Sequence, residues 1–213
     1  MEGDGSVTLT NCCQGQEGRM RTEGHEPRPV AGGRPGRSTI TRTESGESMA
    51  ESIAVERLRR AVLTLLDEAL SGPPGEETWF IDSGPQAGFL RFLEGISPEA
   101  ASTPPRPGRA NLAAHVDHVR YGLEVANRAL RGERDAFATA DWGRSWTIRS
   151  VDAEAWERIK AGVRREYEAL RELLASSDGW LADDMALTGV LAQIAHLAYH
   201  LGAIRQIARD VAG

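Results

Sequence analysis

The carboxyl-terminal part of the chain contains the apolar run MALTGVLAQIAHLAYHLGAIRQI at residues 185–207. Within this run, the segment His196-Leu-Ala-Tyr-His200 places two imidazoles four residues apart. Residues at this spacing lie on the same side of a helix, one turn above the other. Two neutral imidazoles placed in this way can bind one metal ion. The run therefore predicts a buried helix that carries two candidate metal ligands.

A second pair of histidines, His115 and His118, lies in another helical segment far upstream. Catalytic metal sites need three protein ligands from separate elements, so this pair strengthens the case for a metal site. The alternative is that the histidines are hydrogen-bonded core residues, since short motifs of this kind also arise by chance. No Glu follows either first histidine as it does in His-Glu-x-x-His, which disfavours a zincin protease.

Four segments have the periodicity of amphipathic helices, and no segment has strand periodicity. The helices are predicted at about residues 52–70, 111–130 and 152–175, and from Asp183 or Asp184 to about Val211. Asp152 is the predicted N-cap of the third helix. We therefore predict an all-α fold in which residues 49–213 form one four-helix bundle.

The second predicted helix carries apolar residues at alternating steps of four and three, which is typical of a bundle seam. These residues are Leu112, Val116, Val119, Leu123, Ala126 and Leu130. On a helical wheel His115 lies about 60° from the centre of this stripe and His118 about 120° from it. We therefore expect His115 to face the interior and His118 to lie at the flank.

Two long connections separate the predicted helices. Residues 75–108 contain several aromatic residues and are predicted to hold a short helix near residues 86–94. Residues 133–151 contain Trp142 and Trp146, which are expected at the same end of the bundle as the histidines. These two indoles either wall an apolar substrate pocket or simply cover the end of the core.

Residues 1–48 differ from the rest of the chain, because they hold 9 of the 23 glycines and no Phe, Trp or Tyr. Such a segment buries too little apolar surface to offset its ordering entropy, so we predict a disordered tail. A second hypothesis is that Met49 is the true start. The only two cysteines, Cys12 and Cys13, lie in this tail, which excludes a disulfide framework. Any thiol chemistry would therefore use a small-molecule thiol.

The composition excludes several classes of function. A formal net charge of -6 leaves no basic surface for nucleic acid or anionic membrane. No secretory signal and no uncharged apolar run of membrane-spanning length is present, so we expect a cytoplasmic protein without a membrane partner. The chain also lacks a Gly-x-Ser-x-Gly elbow and the common phosphate-binding glycine loops.

The pattern of four helices, a histidine early in the second and His-x-x-x-His in the fourth resembles the DinB-like superfamily. The segment from His196 to Gln206 is similar to the last-helix signature of that family, and Ala113-Ala-His115-Val-Asp-His118 resembles its helix-two signature. The resemblance covers about residues 52–211. It implies a divalent metal, such as Zn, Ni or Fe, held by His115, His196 and His200, with His118 as the substitute for His115.

The resemblance also implies a function, because some members of this family transfer low-molecular-weight thiols or catalyse thiol-dependent isomerisation. We therefore expect a metal-dependent thiol transferase that acts on small electrophiles. A metal at an open site lowers the pKa of a bound water or thiol, which produces a nucleophile near neutral pH. The alternatives are a non-catalytic metal-binding module for stress response or ligand sensing, and a purely structural helical dimerisation domain. A homodimer is compatible with a bundle this apolar, although no stripe requires it.

Other residues near the predicted site have two interpretations each. Gln193 and Asp117 are candidate acceptors for the second nitrogen of a ligating imidazole, with ordinary solvation as the alternative that we favour for Asp117. Tyr199 is a candidate proton donor, although a tyrosine in this position more often packs between helices. Arg120 and Arg205 are candidates for binding an anionic substrate group, or are ordinary surface charges.

Overall fold

The structure, a computed structural model, describes residues 44–212, and these residues form helices and connections without strands. The predicted all-α fold is confirmed. The prediction of a tail over residues 1–48 lies for the most part outside the described residues. Its last five residues are the exception, because the first helix begins at Glu44 and not near Ser52 as expected.

Seven α-helices and one 3-10 turn are present in residues 44–212. The four long helices are α1 (Glu44–Ser71), α4 (Leu112–Leu130), α5 (Ala153–Ser176) and α7 (Asp184–Ala212). The short helices are α2 (Phe89–Glu94), α3 (Pro98–Ser102) and α6 (Gly179–Ala182), and the 3-10 turn is Arg144–Trp146. The sequence predicts the four long helices and α2. It does not predict α3, α6 or the turn, which are too short to show a period.

Helix α4 lies at the centre of the fold. It packs against α5, α7, α3 and the 3-10 turn. Its N-terminal half is therefore buried on several sides, unlike a helix that presents one apolar stripe to a core. The largest fully buried side chains come from all four long helices and from α2: Trp156, Phe89, Leu66, Leu70, Leu93, Leu112, Leu123, Leu170, Leu174, Leu197, Leu201 and Ile204.

The start of α4 is tied to both neighbouring connections by one side chain. Asn111 is the N-cap of α4, and its Oδ1 accepts a hydrogen bond from the backbone N–H of Ala114. Its Nδ2 donates to the carbonyl oxygens of Ser102, at the end of α3, and of Arg149, in the connection that leads to α5. Because this buried amide joins three segments, the connection between α4 and α5 is anchored beside the first turns of α4.

Helices α1 and α5 are joined by a polar cluster. The Tyr167 hydroxyl donates to Asp67 Oδ1 over 2.7 Å, and Arg171 Nε donates to the same carboxylate over 2.9 Å. The predicted N-cap of the third long helix is confirmed, because Asp152 Oδ1 accepts from the backbone N–H of Ala155.

Helix α7 is the one helix of residues 44–212 whose length and apolar composition would suffice to cross a membrane. About 39% of its apolar window is buried inside the fold. It packs against α3, α4 and α6. These contacts make α7 a core helix of the bundle, as its sequence predicts.

Candidate metal centre

Four histidines from two helices meet at one end of the bundle. His115 and His118 extend from α4, and His196 and His200 extend from α7. Within the described residues, His118, His196 and His200 each place one ring nitrogen within 4.8 Å of the others. The structure thus brings together all four histidines that the sequence selected.

The four rings are connected in two pairs across the helices. His118 Nε2 lies 3.1 Å from His196 Nε2, and His115 Nδ1 lies 3.3 Å from His200 Nδ1. The His196 and His200 rings, one turn apart on α7, have centroids 4.5 Å apart. His200 is therefore at the centre of the cluster, and His115 lies at its outer edge.

The helical wheel predicts the wrong order of burial for the two histidines of α4. His118 is buried, with 2% of its surface exposed, whereas His115 is only partly buried. The wheel measured angles from an apolar stripe that faces one core. Here the connection between α4 and α5 folds over the opposite flank of α4 and buries His118, which the periodicity of α4 alone does not reveal.

Burial keeps these imidazoles neutral. Burial, followed by repulsion from the neighbouring His196 and His115 rings, lowers the pKa of His118 to about 4. Burial, followed by repulsion from Arg109, lowers the pKa of His115 to about 4. Burial also lowers the pKa of His196, and burial together with the other three rings lowers that of His200 to about 2. Near pH 7 each ring therefore has one nitrogen with a free lone pair, as a metal ligand requires.

The 3-10 turn covers the cluster with aromatic rings. Trp146 stacks on His118, with centroids 4.3 Å apart and an interplanar angle of 26°, and meets His115 edge-on at 5.0 Å. The ring centroid of Trp142 lies 5.9 Å from that of His118. The Trp142 ring also lies next to the rings of Tyr121 and Phe137. Trp146 thus covers the histidines, while Trp142 continues into a partly exposed aromatic row. The interpretation of the two indoles as walls of a substrate pocket stays a prediction.

Ser145, between these two tryptophans in the sequence, is a site residue that sequence reasoning missed. Its Oγ lies 2.9 Å from His118 Nδ1 and 2.9 Å from the carbonyl oxygen of Trp142. The side chain is buried, with 2% of the residue exposed. The only available sequence signal was a single serine within an aromatic loop, which does not distinguish a histidine partner from an ordinary turn residue.

A glycine makes room for the His196 ring. A Cβ atom at Gly122, on α4, would lie 3.3 Å from His196 Cε1 and 3.6 Å from His196 Nδ1. The amide nitrogen of Gln193 would be 3.8 Å from the same point, and it is buried without a hydrogen-bond partner. The sequence makes Gln193 a candidate acceptor for the second nitrogen of a ligating imidazole, a role that its Oε1 would have. The structure places it beside the same glycine, without a hydrogen bond between its Nε2 and the imidazole.

Three other predicted site residues have partners of their own. Asp117 accepts a hydrogen bond of 2.6 Å from Arg120 Nε, and Arg120 also donates to Glu124. Arg205 donates to Asp82 over 3.2 Å. Both arginines are thus paired with carboxylates of the chain itself.

Tyr199 does not pack between helices, the more common role of a tyrosine in this position. The residue is 65% exposed, and its ring meets that of His200 edge-on with centroids 5.0 Å apart. It therefore lies at the outer face of the cluster and not between helices.

The donor set fits a divalent metal of the zinc, nickel or iron type, for which neutral imidazole is a common ligand. Two nitrogens at roughly 2.0–2.1 Å from a tetrahedral ion lie about 3.3–3.4 Å from each other. The nitrogens of His118 and His196 are 3.1 Å apart, and the three-histidine group lies within 4.8 Å, so small side-chain adjustments suffice to reach this spacing. The cluster is therefore compatible with metal binding.

Comparison with known proteins agrees with this geometry. A family model described as the DinB superfamily matches residues 85–204, which is more than half of the 213 residues. The matched range includes all four clustered histidines. No curated protein and no solved structure matches the chain. The match confirms the resemblance seen in the two histidine segments, and the chain belongs to the DinB superfamily.

Proposed function

We propose that the protein binds one divalent metal ion through His118, His196 and His200 and uses it to transfer a low-molecular-weight thiol to small electrophilic molecules. The observation that carries the proposal is the convergence of three ring nitrogens, from two helices, within 4.8 Å. Their lowered pKa values support it, because a neutral imidazole offers a lone pair without first losing a proton.

This proposal selects His118, and not His115, as the ligand from α4. His118 presents Nε2 to His196 Nε2, and its Nδ1 is already used by Ser145. His115 contacts His200 through Nδ1, at the edge of the group. We therefore place His115 outside the ligand set, as a neighbour of His200.

When bound, a divalent ion held by His118, His196 and His200 would lower the pKa of a thiol or a water molecule that binds to it by several units. The described residues 44–212 contain no cysteine, because the two cysteines of the chain are Cys12 and Cys13. The sulfur would therefore come from a co-substrate. In the transfer, a sulfur–carbon bond forms, the leaving group departs with its electron pair, and the thiol proton passes to solvent.

The surrounding side chains support small, partly apolar substrates. Trp146 and Trp142 lie against the His118 ring, and reduced access of water on this side would strengthen electrostatic interactions there. Phe137, which stacks on Trp142, and Tyr199 are exposed next to this region and provide aromatic surface for an electrophile. Arg120 and Arg205 are neutralised by their carboxylate partners, so we do not assign them to an anionic substrate group.

The cover formed by Trp146 also favours a second candidate, a metal-binding module without turnover. Its ring lies 4.3 Å from that of His118, 5.0 Å from that of His115 and 6.0 Å from that of His200, so it shields three of the four histidines. A metal site closed in this way would serve stability or sensing. Turnover separates the two candidates.

The first experiment is elemental analysis of protein purified without a histidine tag, together with the variants His118→Ala, His196→Ala and His115→Ala. We expect about one metal per chain in the wild type, as for a three-histidine site. The first two variants should lose it, and His115→Ala should retain it as the matched control. Loss in His115→Ala with retention in His118→Ala would instead support the ligand set first expected from the sequence.

The second experiment measures conjugation of cysteine or glutathione to an aryl halide, with and without added metal. Metal-dependent conjugation that is lost in His118→Ala supports the transferase. Metal binding without any turnover supports the non-catalytic module. A wild-type protein that neither contains nor acquires metal would overturn both.

A further inference from the structure

Ser145 occupies the centre of the 3-10 turn Arg144–Trp146 and is 2% exposed. Its hydroxyl oxygen lies at equal distances, 2.9 Å, from His118 Nδ1 and from the carbonyl oxygen of Trp142. A hydroxyl has one proton and two lone pairs, so its roles towards two hydrogen-bond partners can be assigned by counting.

The count gives a single arrangement. A carbonyl oxygen has no proton, so the contact with Trp142 requires the hydroxyl proton of Ser145. The hydroxyl then has only lone pairs left for His118, and it must accept a hydrogen bond from His118 Nδ1–H. A neutral imidazole carries one proton, so Nε2 of His118 has a free lone pair. That nitrogen is the one that lies 3.1 Å from His196 Nε2.

We propose that Ser145 is a positioning residue that fixes His118 in the Nδ1–H tautomer and so turns the Nε2 lone pair towards His196 and His200. The metal-binding consequence of this tautomer rests on the function proposed above, whereas the tautomer itself does not. Histidine ligands commonly donate their other ring N–H to an acceptor, and this contact sets which nitrogen binds the metal.

Two further contacts support this role. Trp146, in the same 3-10 turn as Ser145, stacks on the His118 ring. A flip of the His118 ring would therefore have to break the hydrogen bond to Ser145 while the ring lies against the indole. The connection that carries the turn is also fixed to the start of α4 by Asn111, which donates to the carbonyl of Arg149. The connection that carries Ser145 is thus joined to the N-terminal end of α4, the helix that carries His118.

The tautomer is tested first in wild-type protein treated with a chelator, by nitrogen NMR of the histidine side chains. We expect His118 to carry its proton on Nδ1 and Ser145→Ala to lose this preference. The exposed Ser150, in the same connection, provides the control Ser150→Ala, which should match the wild type. A proton on Nε2 of His118 in the wild-type protein overturns the proposal without requiring any variant to fold.

The metal-binding consequence is tested by competition with a chelator, using zinc as the probe. We expect Ser145→Ala to weaken zinc binding by about 10- to 100-fold, the usual effect of removing such a partner, and Ser150→Ala to leave it unchanged. Ser145→Thr, which keeps the hydroxyl, should retain most of the affinity. Equal zinc affinity in Ser145→Ala and wild type would show that Ser145 does not position the ligand. Absence of zinc binding in the wild type would instead refute the proposed function, and the tautomer measurement would still decide the role of Ser145.

Discussion

Gly122 offers a substitution that should strengthen the fold and weaken the site at the same time. It lies inside α4, where alanine is favoured over glycine by about 1 kcal/mol. The added Cβ, however, would lie 3.3 Å from His196 Cε1, a distance at which the neighbour must move by a few tenths of an ångström. The ring can move by that amount, so Gly122→Ala should fold with equal or greater stability.

The same movement is large for a metal ligand. Metal–nitrogen distances hold to within about 0.2 Å, so a displacement of a few tenths of an ångström takes His196 out of optimal geometry. We expect the dissociation constant for zinc to rise about tenfold or more, which corresponds to at least about 1.4 kcal/mol. The opposite signs of the two effects distinguish this mechanism from general destabilisation.

Gly189 provides the matched control. It lies inside α7, and an added Cβ there meets no atom within 4 Å. Gly189→Ala should therefore gain about 1 kcal/mol from helix propensity and leave zinc binding unchanged. The assays are urea unfolding in the presence of chelator and zinc competition. Unchanged zinc affinity in Gly122→Ala, or an equal loss in Gly189→Ala, would refute the argument that Gly122 makes room for a ligand.

Two further predictions concern stability. Because the pKa of His118 is about 4 in the folded protein and about 6.5 when unfolded, the unfolded state binds more protons between these values. In chelator-treated protein, the contribution of neutral His118 to stability should therefore be complete above pH 6.5, and the free energy of unfolding should fall as the pH drops from 6.5 towards 4. The fall should be less steep in His118→Gln. A free energy of unfolding that rises as the pH drops over this range would contradict the assignment. The carboxylate of Glu68, which is 3% exposed, accepts hydrogen bonds from the backbone N–H groups of Trp79, Phe80 and Ile81. Glu68→Ala should therefore lower the free energy of unfolding by about 2–3 kcal/mol. The control Glu76→Ala, at an exposed position, should leave it unchanged. Urea titration checks both, and equal values for the two glutamate variants would show that the Glu68 carboxylate does not hold this segment.

The helices themselves were predictable because their cause is local. Apolar residues at helical spacing recur over many residues in α4, α5 and α7, and caps such as Asp152 lie next to the turns that they satisfy. The start of α1 was misplaced by eight residues, from Ser52 to Glu44, because residues 44–51 carry no apolar stripe that marks a helix. The pairing of histidines within α7 followed from the spacing of four residues alone.

The site was predictable only as a set of candidates. The sequence selected four histidines, and the structure brings all four together. It could not rank His115 and His118, because their burial depends on what covers each side of α4. The helical wheel predicts that only one side of α4 faces the core, whereas the 3-10 turn with Trp146 also buries the side that carries His118.

The sequence by itself determined the all-α class, the long helices and the pool of histidine ligands, since these depend on periodicity and on interactions between residues three or four apart. Tertiary structure alone decided which nitrogens meet, that Ser145 holds His118, and that Gly122 leaves space for His196. These contacts join residues that are 27 to 78 positions apart in the chain. No local sequence pattern predicts these contacts. They form only when the connection between α4 and α5 folds back over α4 and when α7 packs against α4.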